Sequence, residues 1–254
     1  MNPAIKITVL SILAAILLGA MLLGPGLGNK PSLVLFCAVA LKPPIEAAAR
    51  EYEAISGVPI QIQYGGSGAL LSNLRVVSEG DLFLPADETY ITQAHDLGLV
   101  QEFIPLARMK PVIAVRHGNP KRIESVTDLL REDVSFALAD PDVASIGRTT
   151  RDILLENGMW DEIRKKAKVL KPTVGDVAND IKIGTVDAGI LWDVVAAQYS
   201  EMAVIHDTRF AEKEQTVSIA VLTTSRRPDE AKRFARYLAS EKGRGHFLRF
   251  GYAL

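Results

Sequence analysis

Three short stretches of this 254-residue chain carry residue types that could handle an anion. The first, Gly65-Gly66-Ser67-Gly68, lies between an apolar run that reads as a strand and one that reads as a helix. Glycines at such a junction allow close backbone approach and leave amide N–H groups at a helix start, where partial positive charge collects. By itself the tetrapeptide fits an ordinary glycine-rich turn just as well. It lacks the Gly-Lys-Ser/Thr of a phosphate loop and the third glycine and acid of a dinucleotide fingerprint. A nucleophile elbow would end in glycine where Ala69 stands. A hydrolase would therefore have to assemble Ser67 with a later acid such as Asp187 and with His206 or His246.

The second stretch, Gly175-Asp176-Val177-Ala178-Asn179-Asp180, opens a helix, and the third, Asp187-Ala188-Gly189-Ile190-Leu191-Trp192, is a strand. Read for structure alone, Asp176 is a helix cap and Trp192 is core packing. Read for chemistry, a Trp at the exit of a parallel strand brings its indole N–H to the crevice, where it can donate to an oxyanion. Cys37 is the only cysteine, so the chain forms no internal disulfide, and it reads as a small buried hydrophobe. His95, His117, His206 and His246 show no zinc-ligand spacing, and no metal cation or cofactor is expected.

These stretches must be positioned by something, and the rest of the chain says by what. From residue 31 onward, short β-branched runs alternate with amphipathic helical segments, the pattern of βαβ units. Strands are predicted at 32–39, 58–64, 81–84, 112–116, 134–139, 186–191 and 217–222. Helices are predicted from Pro43-Pro44 to Gly57, then at 69–77, 88–97, 126–130, 146–156 and 174–183, with two more closing the chain. The last forty residues have no sheet of their own, so they are expected to return to the first lobe. That places residues 31–110 with 216–254 in lobe 1 and residues 111–215 in lobe 2. Two crossovers, near 109–112 and 207–215, then leave a cleft between the lobes.

The formal net charge is −1 with basic residues spread rather than blocked, which gives no field to gather nucleic acid. Lys6, the apolar run 7–23 and the glycines of 24–28 form an export segment, so residues 1–30 are expected to be a cleaved leader or a membrane anchor. Either outcome puts the remainder outside the cytoplasm, periplasmic or otherwise, with the membrane reached only through that segment.

Several motifs taken in order resemble the periplasmic molybdate-binding protein family of ABC importers. They are Phe36-Cys37-Ala38-Val39-Ala40-Leu41, Tyr64-Gly65-Gly66-Ser67-Gly68-Ala69-Leu70, Asp81-Leu82-Phe83-Leu84-Pro85-Ala86-Asp87, Gly118-Asn119-Pro120 and Asp187-Ala188-Gly189-Ile190-Leu191-Trp192. The resemblance implies an α/β, two-lobe type II periplasmic binding protein with mixed, mostly parallel sheets, flanking helices and two hinge crossovers. It implies a monomeric binding protein and no enzyme, holding molybdate or tungstate by hydroxyls and backbone amides and delivering it to an ABC permease. The ligand-binding positions it implies are Ala40, Ser67, Gly68, Ser145, Ile146, Val177 and Trp192. Ala40 stands where the family has a serine and Trp192 where it has a tyrosine, so one hydroxyl is lost and a phenol becomes an indole. Lys42 and Arg148, beside two of these positions, are candidate replacement donors or plain surface charges. A membrane-tethered oxyanion sensor and a Ser67 hydrolase are the alternatives.

Overall fold

The protein is described by a computed structural model over residues 31–254; the export segment falls outside the described residues. The chain builds two five-stranded sheets with helices against them. The first takes β1 (Leu33–Ala38), β2 (Ile60–Gly65), β3 (Leu82–Leu84), β4 (Val100–Met109) and β10 (Gln215–Leu222), in the order β2-β1-β3-β10-β4. The second takes β5 (Pro111–Arg116), β6 (Phe136–Ala139), β7 (Val169–Lys171), β8 (Ala188–Trp192) and β9 (Met202–Ile205), in the order β7-β6-β8-β5-β9.

Both sheets are mixed, and the parallel share is smaller than expected. β1 pairs in parallel with β2 and β3, and β6 with β7 and β8. By contrast, β10 runs antiparallel to β3 and β4, and β5 runs antiparallel to β8 and β9. The antiparallel strands are those that carry the chain between the sheets, and a strand arriving from the other sheet enters against the βαβ direction.

The helices are α1 (Lys42–Ser56), α2 (Ser67–Leu74), α3 (Glu88–Asp96), α4 (Ser145–Glu156), α5 (Trp160–Lys166), α6 (Val174–Lys182), α7 (Asp193–Ala196), α8 (Thr208–Ala211), α9 (Pro228–Ala239) and α10 (Glu241–Arg249). Helix α1 shows why the sequence folds this way. Pro43 and Pro44 sit in its first turn, where no N–H is needed. Ile45, Ala48, Ala49 and Tyr52 recur at helical spacing and are buried against the sheet. In the second sheet, Gly189 lets α6 lie directly on β8, since a Cβ there would stand 2.5 Å from Val177 Cγ1. That close approach brings the start of α6 level with the end of β8.

Two expectations about local structure are corrected. Trp160, expected in a connection, begins α5 and packs half-buried on the core. Helix α2 begins at Ser67, two residues ahead of the expected start, and stops at Leu74. Cys37 is buried and unpaired, and burial pushes its thiol well above the ordinary value, consistent with a packing role.

Candidate functional site

Where the ends of the strands meet, a small cavity is lined by Ala38, Val39, Ala40, Gly65, Gly66, Ser67, Ala86, Ala144, Ser145, Ile146, Val174 and Trp192. Each lining residue lies at or just beyond the carboxyl end of a strand. Ala38 to Ala40 follow β1 in a 3-10 turn, Gly65 to Ser67 follow β2, and Ala86 follows β3. From the second sheet, Ala144 to Ile146 follow β6, Val174 follows β7, and Trp192 ends β8. Open α/β sheets place ligands in this crevice. Only about 10 Å³ is open to the centre of a water-sized sphere, against roughly 10–15 Å³ needed to seat one water. The space left is thus on the scale of a single water.

The polar side chains among the lining residues are two serine hydroxyls and one indole. Trp192 is fully buried, and its indole Nε1–H has no hydrogen-bond partner among the described residues. An unmet buried donor costs about 1–3 kcal/mol, so it calls for an explanation. Ser67 is 1% exposed, and its Oγ accepts from the Ala86 N–H at 3.0 Å. That bond uses one of the oxygen's two lone pairs and leaves the hydroxyl proton free to donate elsewhere.

Helix α4 contributes the amides of Ser145 and Ile146, which precede its first intrahelical bond, from Arg148 N to Ala144 O at 3.1 Å. Helix α6 contributes Val174 and Gly175 in the same way. Its next two amides are spent on the capping residue: Asp176 N donates to Thr173 Oγ1 at 3.2 Å and Val177 N to Thr173 O at 3.3 Å. No Lys, Arg, Asp or Glu is among the lining residues.

Of the residues singled out from sequence, Ala40, Ser67, Ser145, Ile146 and Trp192 line the cavity together, and Gly68 and Val177 do not. Gly68 is turned to the opposite segment instead: its N–H and that of Ala69 both donate to Val143 O, at 3.0 and 3.3 Å. A Cβ on Gly68 would lie 2.6 Å from Asp142 O, and one on Gly66 would collide with Val143 O. These glycines let the α2 start meet the segment before α4. Val177 misses because α6 begins at Val174, three residues ahead of the amide chosen from sequence, and Thr173 rather than Asp176 is its cap.

Neither charged candidate enters the lining. Lys42 Nζ pairs with Glu46 at 3.8 Å and stands 5.4 Å from the Tyr64 ring centroid. The Arg148 guanidinium carbon stands 5.4 Å from the Tyr90 ring centroid. Asp87, next to Ala86, is almost wholly buried and caps α3 through Thr89 N at 2.9 Å. Burial holds its carboxyl above the usual range, with the Thr89 bonds and Arg148 pulling it down. Val39, Ala86, Ala144 and Val174, which also line the cavity, were not among the positions that the family resemblance implied. Their one legible mark was position after a strand.

The hydrolase reading fails on geometry. The Asp187 carboxylate accepts from Ser135 N and Oγ at 2.9 and 2.8 Å, and His246 Nε2 is 2.7 Å from Glu51. No His lines the cavity, so Ser67 has no base.

A small cavity between two sheets, with no charged side chain and no catalytic base, suits capture of a ligand, and the chain's relatives agree. The profile of the family described as bacterial extracellular solute-binding protein matches residues 33–253. The chain belongs to that family. Its activity is therefore binding and not catalysis. One relative of this extracellular solute-binding protein is the molybdate-binding protein ModA of Mycobacterium tuberculosis, 28% identical over 235 residues, covering 91% of this chain and 87% of the relative. Among solved structures, the Azotobacter vinelandii periplasmic molybdate-binding protein superposes with a TM-score of 0.74 at 14% identity, over 88% of this chain and 99% of that one. The sulfate-binding protein SubI of M. tuberculosis superposes at 0.76 with 17% identity, over 88% and 86% of the two chains. Among the described residues, no helix is long and apolar enough to cross a membrane, and no cluster of His, Cys, Asp and Glu could hold a metal cation.

Proposed function

We propose that this solute-binding protein captures one fully ionised tetrahedral oxyanion, molybdate or tungstate, and presents it to an ABC permease. The observation that carries the reading is the buried, unpartnered indole N–H of Trp192 at a cavity rimmed with uncharged donors. A small dianion would satisfy that donor together with the Ser67 hydroxyl and the first amides of α4 and α6. Hydrogen bonds to an ionised acceptor are short and strong, and helix starts supply partial positive charge where no Lys or Arg does. The Ala40 position contributes at most a backbone N–H, since its side chain has no hydroxyl.

Selectivity follows from the same donors. Phosphate near neutral pH keeps a proton that needs an acceptor. Here no carboxylate lines the cavity to take that proton, one lone pair of the Ser67 oxygen is already used by Ala86, and the indole only donates. Sulfate carries no such proton, so size must reject it: donors spaced for a larger anion would be left under-contacted. The structural likeness to a sulfate-binding protein makes sulfate the competitor that matters.

We further infer two lobes, residues 31–110 with 216–254 and residues 111–215, that part slightly about their crossovers to admit the anion. The protein would act as a monomer outside the cytoplasm, released or tethered through its first thirty residues. Competition titration of molybdate against sulfate and phosphate tests the reading. Strong phosphate binding would transfer the protein to another ligand class.

A further inference from the structure

The turn that carries Ala40 has a defect written into the sequence. Ala40 is 3% exposed, and its carbonyl needs a donor. In a helical continuation that donor would be the N–H of residue 43 or 44, but these are Pro43 and Pro44, which have none. The bond is made instead from 212 residues away: Tyr252 Oη donates to Ala40 O at 2.5 Å. Tyr252 is itself buried, and burial, with Cys37 and Asp193 nearby, pushes its phenol far above the ordinary value, so it stays a donor.

Tyr252 is anchored in turn to the strands that lead into the crossovers. Its neighbour Ala253 exchanges both backbone hydrogen bonds with Arg108, at 2.8 and 3.1 Å. The Arg108 guanidinium reaches Leu254 O at 2.6 Å and Glu214 at 3.0 Å. Arg108 stands two residues before Lys110, whose N–H donates to Asp193 Oδ1 at 3.1 Å and whose carbonyl accepts from Asp193 N at 2.9 Å. Asp193 adjoins Trp192. The Ala40 turn and the Trp192 strand end are thus braced on one short run of backbone, 108–110.

We propose that Tyr252 is a positioning residue of the anion site, its hydroxyl replacing the backbone donor that Pro43-Pro44 removes and holding the Ala40 turn in register with the crossover strands. The claim rests on the oxyanion reading for what the turn binds, though not for the contact itself. The test is Tyr252→Phe, which deletes one oxygen and keeps the ring. In ligand-free protein, hydrogen exchange over residues 39–42 should quicken on the order of 2- to 10-fold, with β8 amides unchanged. The molybdate Kd should rise by a similar factor. Adding Pro44→Ala, which returns an N–H four residues after Ala40, should recover both toward wild type, as a purely packing role of the ring would not. Unchanged exchange over 39–42, or no recovery by Pro44→Ala, overturns the positioning role whatever the ligand. A wild-type protein indifferent to molybdate would instead sink the oxyanion reading and leave the exchange comparison standing.

Discussion

Replacing Ser67 with alanine removes one oxygen that does two things, and the structure separates their sizes. In the proposed site the hydroxyl donates to the anion, and a hydrogen bond to an ionised acceptor contributes about 1.5–3 kcal/mol. Its loss should raise the molybdate Kd about 10- to 150-fold. The oxygen also accepts from the buried Ala86 N–H at 3.0 Å, and a buried donor left without a partner costs about 1–3 kcal/mol. At this chain length that is roughly 2–12 °C in Tm. Calorimetric titration measures the first loss and thermal unfolding of the ligand-free protein the second. A Tm that falls as expected beside an unchanged Kd would refute the reasoning, because Ser67 would then only brace the turn after β3.

Three further outcomes follow from the same geometry. Trp192→Phe should weaken molybdate binding and abolish most of the ligand-induced change in emission, whereas Trp160→Phe, altered in α5, should keep both. Full signal and wild-type affinity in Trp192→Phe would make the indole N–H irrelevant. Gly66→Ala should force the α2 start off Val143 O, giving a larger scattering radius with saturating molybdate and a weaker Kd; an unaltered radius and affinity would mean the seam gives way at no cost. Burial works to raise the Asp207 carboxyl, but hydrogen bonds from the Val126 and Arg209 amides and the Arg209 guanidinium bring it below the ordinary carboxylate value. A lowered folded pKa stabilises above the unfolded value, so Asp207→Asn should be less stable near neutrality, the gap closing as pH falls below about 4. A gap constant with pH would contradict that assignment.

What the sequence concealed has a common physical cause. The strands that pattern alone missed, β4, β7 and β9, all lie at sheet edges. An edge strand is half solvated, so its residues need not alternate strictly or be β-branched. Pro105 lies within β4, which an edge strand tolerates, and the β10 register slips there between Val217 and Ser218. The buried strands β1, β8 and β10 were legible because they had no such freedom. Of the residues expected at the site, Ser67, Ser145 and Trp192, which carry a polar mark or a motif position, line the cavity. Gly68 and Val177 stand outside the cavity lining because the cap and the opposite segment decide which amides stay free. Thr173 takes the Val177 amide through its carbonyl, and Val143 takes that of Gly68. The proline pair in the first turn of α1 was read as helix punctuation. Its other consequence, an orphan carbonyl at Ala40, became visible only with Tyr252 beside it.

The most direct measurement is calorimetric titration of the purified protein with molybdate, tungstate, sulfate and phosphate in turn. The account predicts one tightly held molybdate or tungstate per chain, with sulfate and phosphate at least tenfold weaker, a gap of about 1.4 kcal/mol or more. Sulfate bound as tightly as molybdate, or phosphate bound more tightly than either, would contradict it.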